Sequence, residues 1–273
     1  MGHRNVIRHK SVVFDDELLA FENDVYRTER KVTRFSRSFP SVCFYRSFFW
    51  NVYRSSVTAR RGRYGDFEWS NTSYKVLESL ESVGVQLELS GVEHIRRLDS
   101  PCVFVSNHMS MFETMIMPAI IQPVRPVTFV VKRSLLHYPL FRHILRTRDP
   151  VSVSREQPRE DFKAMMHGGG ERLEKGISVV VFPQTTRSLT FDSTQFNTIG
   201  VKLAKRASVP VIPVALRTDA WGNGKWLKDL GRIDPSKKVH MAFGEPLEIR
   251  DRGGDQQAAI IQYIHDKLSE WGP

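Results

Sequence analysis

Hydrophobic and polar positions divide the chain into two textures. From about residue 76 onward, short β-rich runs alternate with helix-like stretches. The runs are VQLEL (85–89), CVFVS (102–106), VTFVV (127–131), VSVS (151–154), ISVVVF (177–182), VPVIPVAL (209–216) and KVHMAF (238–243). Between them, helical patterning falls near 111–121, 158–175, 197–207 and 256–270. This alternation predicts an α/β domain over 76–273: a largely parallel twisted sheet flanked by helices, with reactive groups at strand ends. ISVVVF is almost unbroken apolar sequence, as a central strand buried on both faces requires. Gly168-Gly169-Gly170 lies between helical stretches and predicts a break or kink there.

Residues 1–75 read differently. They are basic and aromatic, without strand alternation, and Pro40 is suited to open a helix because its missing N–H is not needed in a first turn. Phe35, Phe39, Val42, Phe49, Tyr53 and Val57 recur at spacings of three, four or seven, one side of a helix if Pro40 is tolerated near its start. Aromatic residues with arginines at the margin suit a helix lying in a membrane's headgroup layer. The same pattern also fits a helix packed on its own domain, with arginine stems covering apolar surface.

Charge sharpens this contrast. Of a net +10 for the 273 residues, the segment Arg27–Arg63 carries +9, from ten basic residues against Glu29. The partner implied is anionic: a membrane surface, a phosphorylated small molecule or nucleic acid. No stretch approaches the roughly 20 apolar residues of a spanning helix. The first residues, MGHRNVIRHKSVVFDDELL, lack the apolar run of a secretory signal. The hydrophobic share of 41% is too high for a disordered chain. Two cysteines, Cys43 and Cys102, exclude a disulfide framework and an all-cysteine zinc site.

Four strand ends carry candidate chemistry. After CVFVS comes NHMSMFE, in which His108 is a candidate general base and Glu113 a candidate partner that orients and charge-stabilises it. Ser110-x-x-Glu113 is equally a capping box that serves only the helix. After ISVVVF comes PQTTRS, where Arg187 offers a planar fork for phosphate and Thr185, Thr186 and Ser188 offer hydroxyls and N–H groups. An arginine in a polar turn paired to a surface acid gives the same sequence. Arg155 after VSVS and Lys132 after VTFVV complete a basic rim, if the sheet is parallel, or merely solvate strand ends. There is no G-x-S-x-G elbow, no phosphate loop of the G-x-x-x-x-G-K-[ST] type and no metal-ligand spacing.

The order NHMSMFE, VSVSR, FPQTTRS and VPVIPVAL, across residues 85–220, resembles the four motif blocks of the glycerolipid acyltransferases of the lysophosphatidate-acyltransferase (PlsC-like) family. The resemblance implies that His108 deprotonates a lysophospholipid hydroxyl, which attacks the thioester of acyl-CoA or acyl-carrier protein. Glu113 then stands in the place of the family's aspartate, and Arg187 and Arg155 hold the acceptor's phosphate. VPVIPVAL helps to shape the acyl or thioester pocket. No cofactor or metal is implied beyond the acyl donor itself. Three positions depart from the common pattern: Glu113 for aspartate, Gln184 for glutamate and Thr185 for glycine.

Under this resemblance the N-terminal block becomes a peripheral anchor. Its aromatic residues insert shallowly and its arginines meet anionic lipids on the cytoplasmic face of the cell membrane. Two other readings stay open: a catalytically dead relative that only binds lipid, and a basic nucleic-acid-binding protein.

Overall fold

In a computed structural model, residues 18–184, 186–224 and 228–272 are described. The N-terminal stretch read for a signal sequence, and Thr185, lie largely or wholly outside them. In chain order the elements are β1 (Val25–Arg27), α1 (Arg34–Ser38), α2 (Pro40–Arg60), α3 (Asp66–Glu81), β2 (Leu87–Ser90), α4 (Val92–Arg96), β3 (Val103–Ser106) and α5 (Phe112–Ile121). Then follow β4 (Val127–Lys132), α6 (Arg142–Thr147), β5 (Val151–Val153), α7 (Pro158–Glu174), β6 (Ser178–Val181), α8 (Ile199–Ala207), β7 (Val211–Arg217), β8 (Val239–Phe243) and α9 (Gly254–Glu270).

The strands form one eight-stranded sheet in the order β1-β2-β8-β7-β3-β6-β4-β5. Only β1–β2 and β7–β8 pair antiparallel, so β7, β3, β6, β4 and β5 all end on the same rim. All seven expected runs are strands of this sheet. β3 and β6 are buried along their whole length, because helices cover both faces. Alternation sorts their side chains. Phe104, Val180 and Ile212 join the core under α2, α3 and α5, whereas Val103, Val105, Val179, Val181 and Val211 join the core under α7, α8 and α9.

Two expectations change. The glycine triplet neither breaks nor kinks a boundary between helices, because α7 runs straight through it. A Cβ on Gly169 would come within 2.8 Å of Leu203 Cδ2, so the absent side chain lets α7 and α8 approach closely. The expected division at residue 75 falls inside α3, and β1 is already part of the sheet.

Pro40 does open a helix, in its first turn, but α1 ends at Ser38 and the helical pattern is split there. The inner face of α2 buries Phe44, Phe48 and Val52. Phe44 and Phe48 meet Trp221 edge-on at centroid distances of 4.8 and 5.3 Å. The outer face keeps Phe35, Phe39, Val42, Phe49, Trp50 and Tyr53 exposed, while Val57 is half-buried. Packing on the domain and an uncovered aromatic face are thus two sides of one helix.

Candidate active site

The chain leaves β3 at Ser106 and turns sharply before α5. Side chains of the turn bind it to the neighbouring strand. Ser106 Oγ donates to the Val214 carbonyl at 2.9 Å. Asn107 Nδ2 donates to the Leu216 carbonyl at 2.8 Å, and its Oδ1 accepts the Leu216 N–H at 2.9 Å. One buried amide therefore continues the β3–β7 ladder past the end of β3 and fixes the next residue, His108, on the rim. The His108 N–H donates to Gln184 Oε1 at 2.8 Å, and its carbonyl accepts from the Ser188 N–H at 2.9 Å. Its ring stacks on Phe182, centroids 4.2 Å apart and planes 22° apart.

Glu113, in the first turn of α5, is completely buried. Its Oε1 accepts from the Met109 N–H at 2.8 Å, the Ser110 N–H at 2.9 Å and the Thr218 hydroxyl at 2.7 Å. Its Oε2 accepts from the Ser110 N–H at 3.1 Å and faces His108 Nδ1 at 3.7 Å. That separation is an ion-pair distance, longer than a hydrogen bond, and Nδ1 makes no hydrogen bond to any described residue. Burial pushes the Glu113 carboxyl up, but His108, the Thr218 hydroxyl and the Ser110 N–H outweigh it and hold the carboxyl below its usual range. Both readings of Glu113 hold together: one oxygen organises the start of α5, and the other faces the imidazole. With Nδ1 turned to Glu113, Nε2 is the nitrogen left for a substrate.

The sheet order sets the rest of the rim. β3, β6, β4 and β5 are successive neighbours, so His108, Arg187, Lys132 and Arg155 follow strands that end side by side. Arg187 Nη2 pairs with Asp229 Oδ1 at 2.6 Å, while its Nη1 is buried without a hydrogen bond. Arg155 has a left-handed backbone, φ +64°, and its N–H donates to Asp161 Oδ2 at 2.7 Å. Desolvation first, and Arg187 second, hold the Arg155 guanidinium below its usual range, against Asp161. Both arginines stand on the rim where β6, β4 and β5 end. Lys132 and Thr186 are exposed. Ser188 serves the site through its backbone, and its hydroxyl accepts from the Thr190 N–H at 3.3 Å. Among the described residues no group of three or more His, Cys, Asp or Glu side chains is placed to hold a metal.

Sequence reasoning missed several supporting residues. Thr218 follows β7, one position beyond the VPVIPVAL run and its Arg217, and strand-end logic alone points to it. Asp229 comes from the loop between β7 and β8, where no pattern marks it. Asn223 Nδ2 from the same loop donates to the Met109 carbonyl at 2.9 Å, tying that loop to the histidine turn. β7 itself is buried in the sheet, and it shapes the site through Leu216 and Thr218.

A doubly covered α/β sheet carries a buried His–carboxylate pair at a strand end, with arginines on the same rim, an arrangement suited to group transfer. Comparison with known proteins makes this specific. The Acyltransferase family model matches residues 86–217. A 1-acyl-sn-glycerol-3-phosphate acyltransferase of Pseudomonas aeruginosa is 34% identical over 188 residues, 68% of this chain and 69% of that protein. A protein of the same name from Limnanthes alba is 24% identical over 183 residues, 67% of this chain and 62% of its own length. The crystal structure of the 1-acyl-sn-glycerophosphate acyltransferase PlsC from Thermotoga maritima shares the fold, with a TM-score of 0.59 at 18% identity over 87% of this chain and 96% of that one. The chain belongs to the PlsC-like acyltransferase family, and it is an O-acyltransferase. Of the three readings left open by the sequence, the enzyme stands.

Proposed function

We propose that the chain transfers a fatty acyl group from a thioester donor, acyl-CoA or acyl-carrier protein, to the free hydroxyl of a lysophospholipid. Lysophosphatidate is the acceptor its relatives' names point to, and phosphatidate is then the product. The observation that carries this reading is the His108–Glu113 pair, sealed beneath the rim with Nε2 left for a substrate. Nε2 takes the hydroxyl proton as the oxygen attacks the thioester carbonyl carbon. The C–S bond then breaks, the ester forms, and the proton passes from the imidazolium to the departing thiolate. Glu113 stabilises the imidazolium that exists between the two transfers. Because the thioester is already activated, one base and good positioning suffice.

The acceptor's phosphate lies against Arg187 and Arg155. Two like charges held together favour an anion between them, and the buried Nη1 of Arg187 has a hydrogen bond still to make. The outer face of α1 and α2 lies on the cytoplasmic leaflet as a peripheral anchor. Phe35, Val42 and Trp50, each more than 60% exposed, enter the headgroup layer, and the arginines around them meet anionic lipids. No helix among the described residues is long and apolar enough to cross a membrane.

Thiol release from acyl-CoA, with and without lysophosphatidate, tests the reaction. Acceptor-dependent release in the wild type that disappears in His108→Ala supports it, and equal release in both proteins overturns the assignment of His108. Flotation on anionic vesicles tests the anchor. Point variants are required, because removing the whole segment would also remove β1 and the buried face of α2. Phe35→Ser with Trp50→Ser should lose vesicle binding, and unchanged binding would refute the anchor.

A further inference from the structure

Met109, the chain neighbour of His108, also lines a groove of about 800 Å³. Its walls come from the ends of β7 and α9, the start of β8 and residues 189–191, which follow Arg187 in the loop after β6. Its volume is in the range of small-molecule sites. Its lining is of two kinds. Met109 and Leu189, chain neighbours of His108 and Ser188, are joined by Phe191 in an apolar part. Arg217 at the end of β7, with Lys237 and Lys238 leading into β8, supplies cations against one lining carboxylate, Asp219.

The cations are only partly committed. Lys237 Nζ pairs with Asp219 at 2.6 Å and Lys238 Nζ with Glu88 at 3.0 Å, one bond each for an ammonium with three donors. Arg217 donates to the Trp271 carbonyl at 2.9 Å and the Leu268 carbonyl at 3.4 Å, which offsets the negative end of α9 at this wall. His240 is 91% buried there, its ring stacked on Trp271 at 4.9 Å. Its Nδ1 lies 3.8 Å from Glu88 and makes no hydrogen bond. A groove that has the neighbour of His108 in its wall, with one apolar part and one cationic part, fits a long amphiphilic arm ending in phosphate.

We propose that this groove holds the phosphopantetheine arm of the acyl donor, with its phosphate at Lys237 and Lys238 and its thioester delivered past Met109 to His108. The inference rests on the acyl-transfer reading above and adds to it a seat for the donor's carrier arm. The phosphopantetheine arm is common to acyl-CoA and acyl-carrier protein, and the groove reads what they share.

The test is steady-state kinetics of Lys237→Glu/Lys238→Glu, with both acyl-CoA and acyl-carrier protein as donors. Donor KM should rise at least about tenfold, the worth of one lost charge-assisted contact, for either carrier, with KM for lysophosphatidate unchanged. Ser269→Trp, which fills the groove from the exposed side of α9 without disturbing an ion pair, should act in the same direction. Unchanged donor KM in both variants would overturn the assignment. So would an increase confined to acyl-CoA, which would mean that the groove holds the nucleotide and not the arm. Calorimetric titration with free coenzyme A separates the two levels of the argument. Binding by the wild type that is lost in the lysine variant supports the groove even if no acyl transfer is found, whereas transfer with unaltered coenzyme A binding leaves the reaction standing and removes the groove.

Discussion

Replacing Glu113 by Gln separates its two roles. The Gln carbonyl oxygen can keep the three bonds that Oε1 accepts from Met109, Ser110 and Thr218, so the start of α5 is preserved. The amide nitrogen then takes the place of Oε2 and points N–H groups at His108 Nδ1. An imidazole facing a donor accepts at Nδ1 and carries its proton on Nε2, the nitrogen that must take the substrate proton. The negative charge is lost as well. At 3.7 Å, and an effective dielectric of about 20, a carboxylate stabilises an imidazolium by about 4 kcal/mol, or about a thousandfold in rate. The assay is thiol release at saturating donor and lysophosphatidate, with kcat and both KM values measured separately. The expected result is a kcat lower by about 10³ with KM values within about threefold of wild type. Glu113→Asp, which keeps the charge but shortens the reach, should retain more activity than the Gln variant. A Gln variant within tenfold of the wild type in kcat would refute the argument and leave Glu113 as a capping residue alone.

Three further outcomes follow from the same coordinates. Arg187→Ala should raise KM for lysophosphatidate by about 10- to 100-fold and leave donor KM unchanged, since a hydrogen bond to a charged group is worth about 1.5–3 kcal/mol; initial rates over an acceptor series check it. Gly91→Ala should cost about 3 kcal/mol or more, lowering the melting temperature by about 6–12 °C; Gly91 has φ +82°, and a Cβ would fall 2.0 Å from the Phe243 carbonyl oxygen. The Glu113 carboxyl is held lower in the folded protein than in the unfolded chain, so its contribution to stability is present above the ordinary carboxylate range and is lost as the pH falls through it. The melting temperature of the wild type should therefore fall towards that of Glu113→Gln between about pH 6 and about pH 3, and a constant difference across that window would contradict the shift.

Long-range order was legible where burial imposes a simple period. Strands covered on both faces are written as apolar runs, and seven of them were found at nearly their true bounds. α3 was harder to read because the face it turns to α2 is polar. Ser47 and Ser79 share a hydrogen bond of 2.8 Å, Asn51 reaches the Thr72 carbonyl at 2.8 Å, and Ser55 meets the Thr72 hydroxyl at 2.8 Å. A helix pair joined by hydroxyls shows little hydrophobic periodicity at the contact. β1 has only three residues at the edge of the sheet, too few for any alternation to register. The glycine triplet misled for a related reason. Its helix is specified by a neighbour, Leu203, that fills the space a side chain would need, and a local reading assigns glycine to a break.

The site divides along the same line. His108, Glu113, Arg187 and Arg155 each follow a strand that the sequence marks, so parallel topology alone brings their strand ends to one rim. What positions them is not local. Gln184 holds the His108 N–H across 76 residues, Thr218 holds Glu113 across 105, and Asp229 holds Arg187 from a loop without pattern. The departure at Gln184 has a structural consequence that motif comparison alone does not suggest. Its buried side chain accepts a backbone N–H of the catalytic turn, a task that needs an oxygen and no charge. A neutral amide there leaves Glu113 as the carboxylate that faces His108, so in the proposed transfer the imidazolium would be answered by one partner whose ionisation its own hydrogen bonds favour. In the proposed mechanism the base is therefore tuned by Glu113 and its donors, Thr218 among them, and by the arginines only through the phosphate that they would bind.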